Sequence, residues 1–223
     1  MRPVVAIDGP SGSGKSTVAR GVADALGLPV LDTGAMYRSV TLAAIERGVD
    51  AADGPACAAL AREADIDATD GIWLEGRDVT EDIRGPAVTA SVSTVAAHPE
   101  VRGILVVRQR DWADAHGGGV VEGRDIGTVV FPDAAVKVFL TATDAERARR
   151  RQRDEVAAAR DIDVERVRED LERRDHLDAT RATSPLQAAD DAWVLDTTGL
   201  EIAEVVSEIV ARFRSATGGP PPR

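Results

Sequence analysis

Short apolar runs alternate along this chain with stretches whose apolar positions recur every three or four residues. The runs are VVAI at 4–7, LPVLDTG at 28–34, GGGVVEGRD at 117–125, AAVKVFLTAT at 134–143 and AWVLDTT at 192–198. Each is bounded by glycine or charged residues and lacks strict polar alternation, the pattern of parallel strands covered on both faces. Between them, the three-to-four spacing predicts helices over 15–26, 35–48 (closed by Gly48), 53–64, 86–97, 99–115 and 200–213. Residues 80–85 read as a short helix, and 144–177 as helical and rich in arginine. The period changes at 65–80, DIDATDGIWLEGRDVT, which alternates and carries turn signals at Asp70-Gly71 and Glu75-Gly76. That segment predicts a small antiparallel unit.

Strands alternating with helices indicate an α/β domain with a doubly wound parallel sheet. Residues 36–115 are long for one crossover, so part of that stretch reads as an inserted antiparallel lobe. The expected organisation is one domain over 1–214, followed by a disordered tail, SATGGPPPR, at 215–223.

Composition narrows the function classes. The net charge is −11 over 223 residues, which argues against a general nucleic-acid or anionic-membrane surface. One cysteine, Cys57, cannot form an intrachain disulfide and sits in an Ala-rich helical stretch as a small core residue, consistent with a reducing cytoplasm. No run reads as a signal peptide or membrane span. His98, His116 and His176 are scattered and form no metal set.

The first chemistry lies after the first strand. GPSGSGKST, residues 9–17, matches G-x-x-x-x-G-K-[ST] at Gly9, Gly14, Lys15 and Ser16, between a strand and a helix. Such a loop, here Gly9, Pro10, Ser11, Gly12, Ser13, Gly14, Lys15, Ser16 and Thr17, aims backbone N–H groups at a phosphate, aided by the helix dipole. Lys15 supplies a point charge for the β- and γ-phosphates, and the Ser16 hydroxyl is placed to ligate Mg²⁺. The chain uses 27 Lys and Arg but only two lysines, Lys15 and Lys137; elsewhere it prefers arginine.

Other strand ends carry a second set. LDTGAMYR offers the Thr33 hydroxyl and Arg38, and VEGRDIGT offers Arg124 and Asp125. In RRDHLDATR, Arg174, Asp178 and Arg181 are spaced i, i+4, i+7 and share one face if the helix runs that far. Arginine forks suit phosphate, and two facing phosphate sites are what a kinase with a phosphorylated acceptor requires. Glu122 ends the VVE strand and could orient a metal-bound water, or serve as a structural acid. Arg147, Arg150 and Arg151 at i, i+3, i+4 could close over the phosphates.

IDGPSGSGKST, LDTGAMYR, EGRDIGTVVFPDA and RDHLDATRATSPLQAADDA together resemble bacterial cytidylate kinases, in order from residue 4 to about 210. The resemblance implies a nucleoside monophosphate kinase fold of the P-loop NTPase class, with a monophosphate-binding insert at about 36–115 and a helical LID at about 146–168. It implies phosphoryl transfer from ATP, with Mg²⁺, to CMP or dCMP, by a cytoplasmic monomer with no nucleic-acid or membrane partner. Thr33 and Arg38 then contact the acceptor nucleotide, Arg124 its phosphate, and Ser93, Arg102 and Asp125 the cytosine. Arg174, Asp178 and Arg181 form the sugar and phosphate side, with Asp178 on the ribose. Lys15, Arg124, Arg150 and Arg151 become the catalytic cations. A kinase for UMP or a non-nucleotide metabolite is the alternative. A GTP-dependent switch is disfavoured, because the chain has no asparagine for an N-K-x-D guanine reader.

Overall fold

A computed structural model of the protein describes residues 3–68, 71–157 and 163–218. Five parallel strands form the main sheet: β1 (Val4–Asp8), β2 (Val30–Asp32), β6 (Gly119–Gly123), β7 (Val136–Thr141) and β8 (Trp193–Asp196). Their spatial order is β2-β6-β1-β7-β8, with β1 central. Alternate residues of β1 serve opposite faces. Val4 and Ala6 join one apolar cluster, Val5 and Ile7 the other, which is why VVAI reads as an unbroken hydrophobic run. Helices α1 (Lys15–Leu26) and α8 (Ile202–Thr217) cover one face. The other carries α2 (Thr33–Glu46), α3 (Gly54–Glu63), α4 (Pro86–Ala97) and α5 (Pro99–Ala115).

The expected antiparallel unit is present as β3 (Ile66–Asp67), β4 (Trp73–Leu74) and β5 (Arg77–Asp78). Its β4–β5 hairpin turns at Glu75 and Gly76, both with positive φ (51° and 72°), the combination a two-residue hairpin turn needs. Ile72, Leu74 and Val79 bury into the same cluster as α2–α5, so the lobe shares the core. Asp70 lies outside the described residues.

Several boundaries differ from expectation. β2 stops at Asp32 because the Asp32 carboxylate accepts from the Ala35 amide at 3.0 Å, capping α2 at once. The arginine-rich stretch is two helices, α6 (Asp144–Ala157) and α7 (Val164–Thr180), joined through Ala148, Val167 and Leu171. Residues 158–162 of the expected LID lie outside the described residues. Residues 215–218, expected in the disordered tail, instead finish the last helix. α8 runs to Thr217, whose hydroxyl donates to the Phe213 carbonyl, and Gly218 caps it at φ 73°. Residues 219–223 lie outside the described residues.

This topology places the chemistry. β1, β2 and β6 end level, with Asp32 opposite Glu122 and Asp8 opposite Gly123. The segments after these strands therefore open on one edge, where doubly wound sheets bind ligands.

Candidate active site

One cleft of about 1070 Å³ runs along that edge. Residues 11–17 line it, and so do Ser93, Arg102, Asp125 and Arg181. Thr33, Arg38, Glu122, Arg124, Arg174 and Asp178 also line it, as do Arg150 and Arg151. Of the candidate site residues, Gly9, Pro10 and Arg147 do not line it. Gly9 shapes the loop instead: its φ is 147°, and a Cβ there would stand 2.1 Å from the Leu140 carbonyl oxygen.

The phosphate loop leads into α1 through Gly14, at φ 90°. Lys15 folds back across the loop, its Nζ donating to the Pro10 carbonyl at 2.8 Å. Burial, and then the charge of Arg124, pull the Lys15 pKa down. Glu122 lies buried nearby and accepts from the Ser16 hydroxyl; burial, and then the charge of Asp32, push its pKa up. Asp32 and Glu122 so close together set two carboxylates beside a hydroxyl, an oxygen-only set that favours a hard cation.

Arg102 and Asp125 form an ion pair with side chains only 3% and 6% exposed. Arg102 also donates to the Ala96 carbonyl at 3.2 Å and lies over the Tyr37 ring, 5.4 Å from its centre. Arg181 brings Nη2 to 3.6 Å from Asp125. Arg181 is not on the shared helical face that its spacing predicts. α7 ends at Thr180, and Arg181 has extended backbone (φ −63°, ψ 142°) that turns it towards Asp125. Arg124 donates through Nε to Asp178 at 3.0 Å. Thr33 is less available than expected, because its hydroxyl donates to the Glu122 carbonyl at 2.7 Å and leaves only its acceptor lone pairs.

Positive charge crowds the cleft. Arg38 donates to the Ile83 carbonyl at 2.8 Å and to Thr89 at 3.1 Å. Burial, and then repulsion from Arg174 and Arg151, lower its pKa to about 9. Burial and the charge of Arg124 lower that of Arg174 to about 10. Three buried guanidinium nitrogens here make no hydrogen bond: Nε of Arg102, Nε of Arg174 and Nη2 of Arg181. Buried donors without acceptors are costly, and ligand oxygens would satisfy them.

The geometry thus joins a nucleoside-triphosphate loop to a buried arginine–carboxylate pair across a basic cleft. The sequence model of the family described as cytidylate kinase matches residues 5–215. The chain belongs to the cytidylate kinase family. It is 53% identical over 211 residues to a cytidylate kinase of Mycolicibacterium paratuberculosis, covering 92% of each chain. It is 49% identical over 216 residues to that of Mycobacterium leprae (96% and 97% covered). With that of Pelotomaculum thermopropionicum it shares 50% over 217 residues (94% and 95%). Among solved structures, an uncharacterised protein of Eubacterium ventriosum matches with a TM-score of 0.57 and 12% identity, covering 96% of this chain and 99% of that one; this shows shared fold alone.

The α6–α7 pair reaches back over the phosphate loop. Arg147 donates to the Ser11 carbonyl at 2.8 Å and pairs with Asp175, whose carboxylate accepts from the Ser11 amide at 3.0 Å. Arg150 is more tethered than its expected role requires. It donates to the Thr197 hydroxyl and carbonyl (2.9 and 2.8 Å), to Glu146 at 2.9 Å and to the Ser13 carbonyl of the phosphate loop at 3.3 Å.

Sequence reasoning missed Asp32, Asp175, Tyr37 and Asp8. Asp175 adjoins Arg174 but lies off the i, i+4, i+7 face. Asp8, in IDGPSG, had one visible signal: a charged residue ending an otherwise apolar buried strand. No helix among the described residues is long and apolar enough to cross a membrane.

Proposed function

We propose that this chain transfers the γ-phosphoryl group of ATP to CMP or dCMP, giving ADP and CDP or dCDP. The observation that supports this reading is the buried Arg102–Asp125 pair, with Arg181, in the same cleft as the phosphate loop. Cytosine offers an exocyclic amine to a carboxylate, and N3 and O2 accept from a guanidinium. Uracil puts a carbonyl where the amine was, so Asp125 would face an acceptor. The mismatch costs about 1–3 kcal/mol, roughly a ten- to hundredfold preference for cytosine.

The rest is positioning and charge neutralisation. Residues 9–17 cradle the donor phosphates, and Lys15 follows the transferred group. Arg38, Arg124, Arg174 and Arg181 neutralise the acceptor phosphate; Asp178 takes the ribose, with Ser93 beside the base. An acceptor phosphate oxygen bonds to Pγ as the bond to the β–γ bridging oxygen breaks, and that oxygen leaves on ADP. The acceptor is already an anion, so no strong general base is needed. Ser16 and Glu122 would hold Mg²⁺, Glu122 through water, and its charge would screen the phosphates. Among the described residues no cluster of three acidic or imidazole groups forms a metal cage. Arg150 and Arg151 support the donor side. We read the protein as a cytoplasmic monomer whose partners are small nucleotides rather than nucleic acids.

ADP release with CMP, dCMP, UMP, AMP and GMP as separate acceptors tests the proposal. Turnover should be strong with CMP and dCMP and much lower with UMP. No acceptor-dependent turnover would overturn it.

A further inference from the structure

Asp8 ends β1 immediately before the phosphate loop and is 5% exposed. Its two carboxylate oxygens accept from the amides of Ile126 (2.8 Å) and Gly127 (2.7 Å). Those amides open a single π-helical turn, Ile126–Val130, whose N-cap residue is Asp125. The first amides of a helical turn have no partner within it, and an aspartate at the cap ordinarily accepts from them with its own side chain. Asp125 makes no such bond. Its carboxylate instead reaches Arg102 and Arg181.

We propose that Asp8 is a positioning residue for substrate choice: by taking both amides that follow Asp125, it frees the Asp125 carboxylate to face the base. This rests on the reading of Asp125 as the cytosine contact.

The surroundings support a clamp. A Cβ on Gly127 would lie 3.4 Å from the Asp8 carboxylate and 3.2 Å from the Lys137 side chain, so this stretch of backbone is gripped on both sides. Lys137 is itself fixed by two 2.8 Å bonds to Asp191. Asp8 also adjoins Gly9, so the residue that sets the base-reading turn is covalently next to the loop that holds the donor. A neutral group would fill this place with less electrostatic cost. Burial raises the Asp8 pKa to about 6 and the charge of Asp125 adds to this, against the two amides and Lys15.

Asp8→Asn keeps the shape, but its one amide oxygen accepts a single N–H while its NH₂ group meets the other. The readout is kcat/KM for CMP divided by kcat/KM for UMP, which cancels losses common to both acceptors. The ratio should fall about tenfold, as in Asp125→Asn, while KM for ATP moves less than about threefold. An unchanged ratio in Asp8→Asn, with a collapsed ratio in Asp125→Asn, overturns the role of Asp8 and leaves the base reading standing. An unchanged ratio in Asp125→Asn overturns both. A parallel loss with both acceptors, together with a lowered melting temperature, assigns Asp8 a merely structural role and overturns the proposal. If Asp8→Asn does not fold, the wild-type ratio between about pH 7.5 and about pH 5 decides. It should fall as Asp8, facing Asp125 and Lys15, takes up a proton, and a flat ratio overturns the proposal.

Discussion

Arg174→Met separates charge placed for a ligand from charge placed for the fold. Arg174 is buried on α7, its Nε has no hydrogen-bond partner, and burial with repulsion from Arg124 lowers its pKa to about 10. Methionine keeps the length of the apolar stem and removes the cation. Losing one charge-assisted contact to phosphate costs about 1.5–3 kcal/mol, which weakens CMP binding about 10- to 150-fold. CMP at a hundred times its Kd stabilises the wild type by about 2.7 kcal/mol, and that shifts the melting temperature of a chain this size by about 5–10 °C. If the variant binds a hundredfold more weakly, the same CMP concentration yields about 0.4 kcal/mol, or about 1–2 °C. Without ligand the variant should melt at or above the wild type, because a repelled, unsatisfied buried cation has gone. Thermal denaturation with and without CMP reads both quantities, and cytidine, which lacks the phosphate, should shift the wild type far less. A variant that melts several degrees lower unliganded yet keeps the full CMP shift would refute the reasoning and make Arg174 a structural tie.

Three further outcomes follow from the geometry. Gly9→Ala should lose several kcal/mol of stability and nearly all activity, because its Cβ meets the Leu140 carbonyl at a positive φ; chemical denaturation beside ATP binding checks both. Glu122→Gln should raise the Mg²⁺ concentration for half-maximal turnover severalfold while leaving the CMP-over-UMP ratio unchanged, as titration of Mg²⁺ at fixed ATP would show. ATP hydrolysis without CMP should run at a small fraction of the kinase rate, because the transfer site completes only with acceptor bound; a fast acceptor-independent ATPase counts against that picture.

Local chemistry made much of this legible in the sequence. VVAI could only be a doubly covered strand, and GPSGSGKST has few other uses in a strand–loop–helix context. The Glu75-Gly76 turn announced the antiparallel lobe that the hairpin confirms. Tertiary choices were less visible. Spacing put Arg181 on the helix face only if the helix ran that far; the helix ends one residue earlier, and the extended backbone there brings the side chain to Asp125. Thr33 looked like a free hydroxyl, but the level ends of β2 and β6 give it the Glu122 carbonyl. Asp8 and Asp175 act through amides far away in sequence, Asp8 on the turn after β6 and Asp175 on the phosphate loop. No periodicity encodes such partnerships; they exist only once the sheet order is fixed.

The measurement that tests the central claim most directly is steady-state ADP formation from ATP and Mg²⁺ with CMP and UMP compared at matched concentrations. The kcat/KM for CMP should stand about ten- to a hundredfold above that for UMP, the worth of one mismatched buried polar contact at Asp125. Equal values for the two acceptors would contradict it, because the buried Arg102–Asp125 pair would then read no base at all.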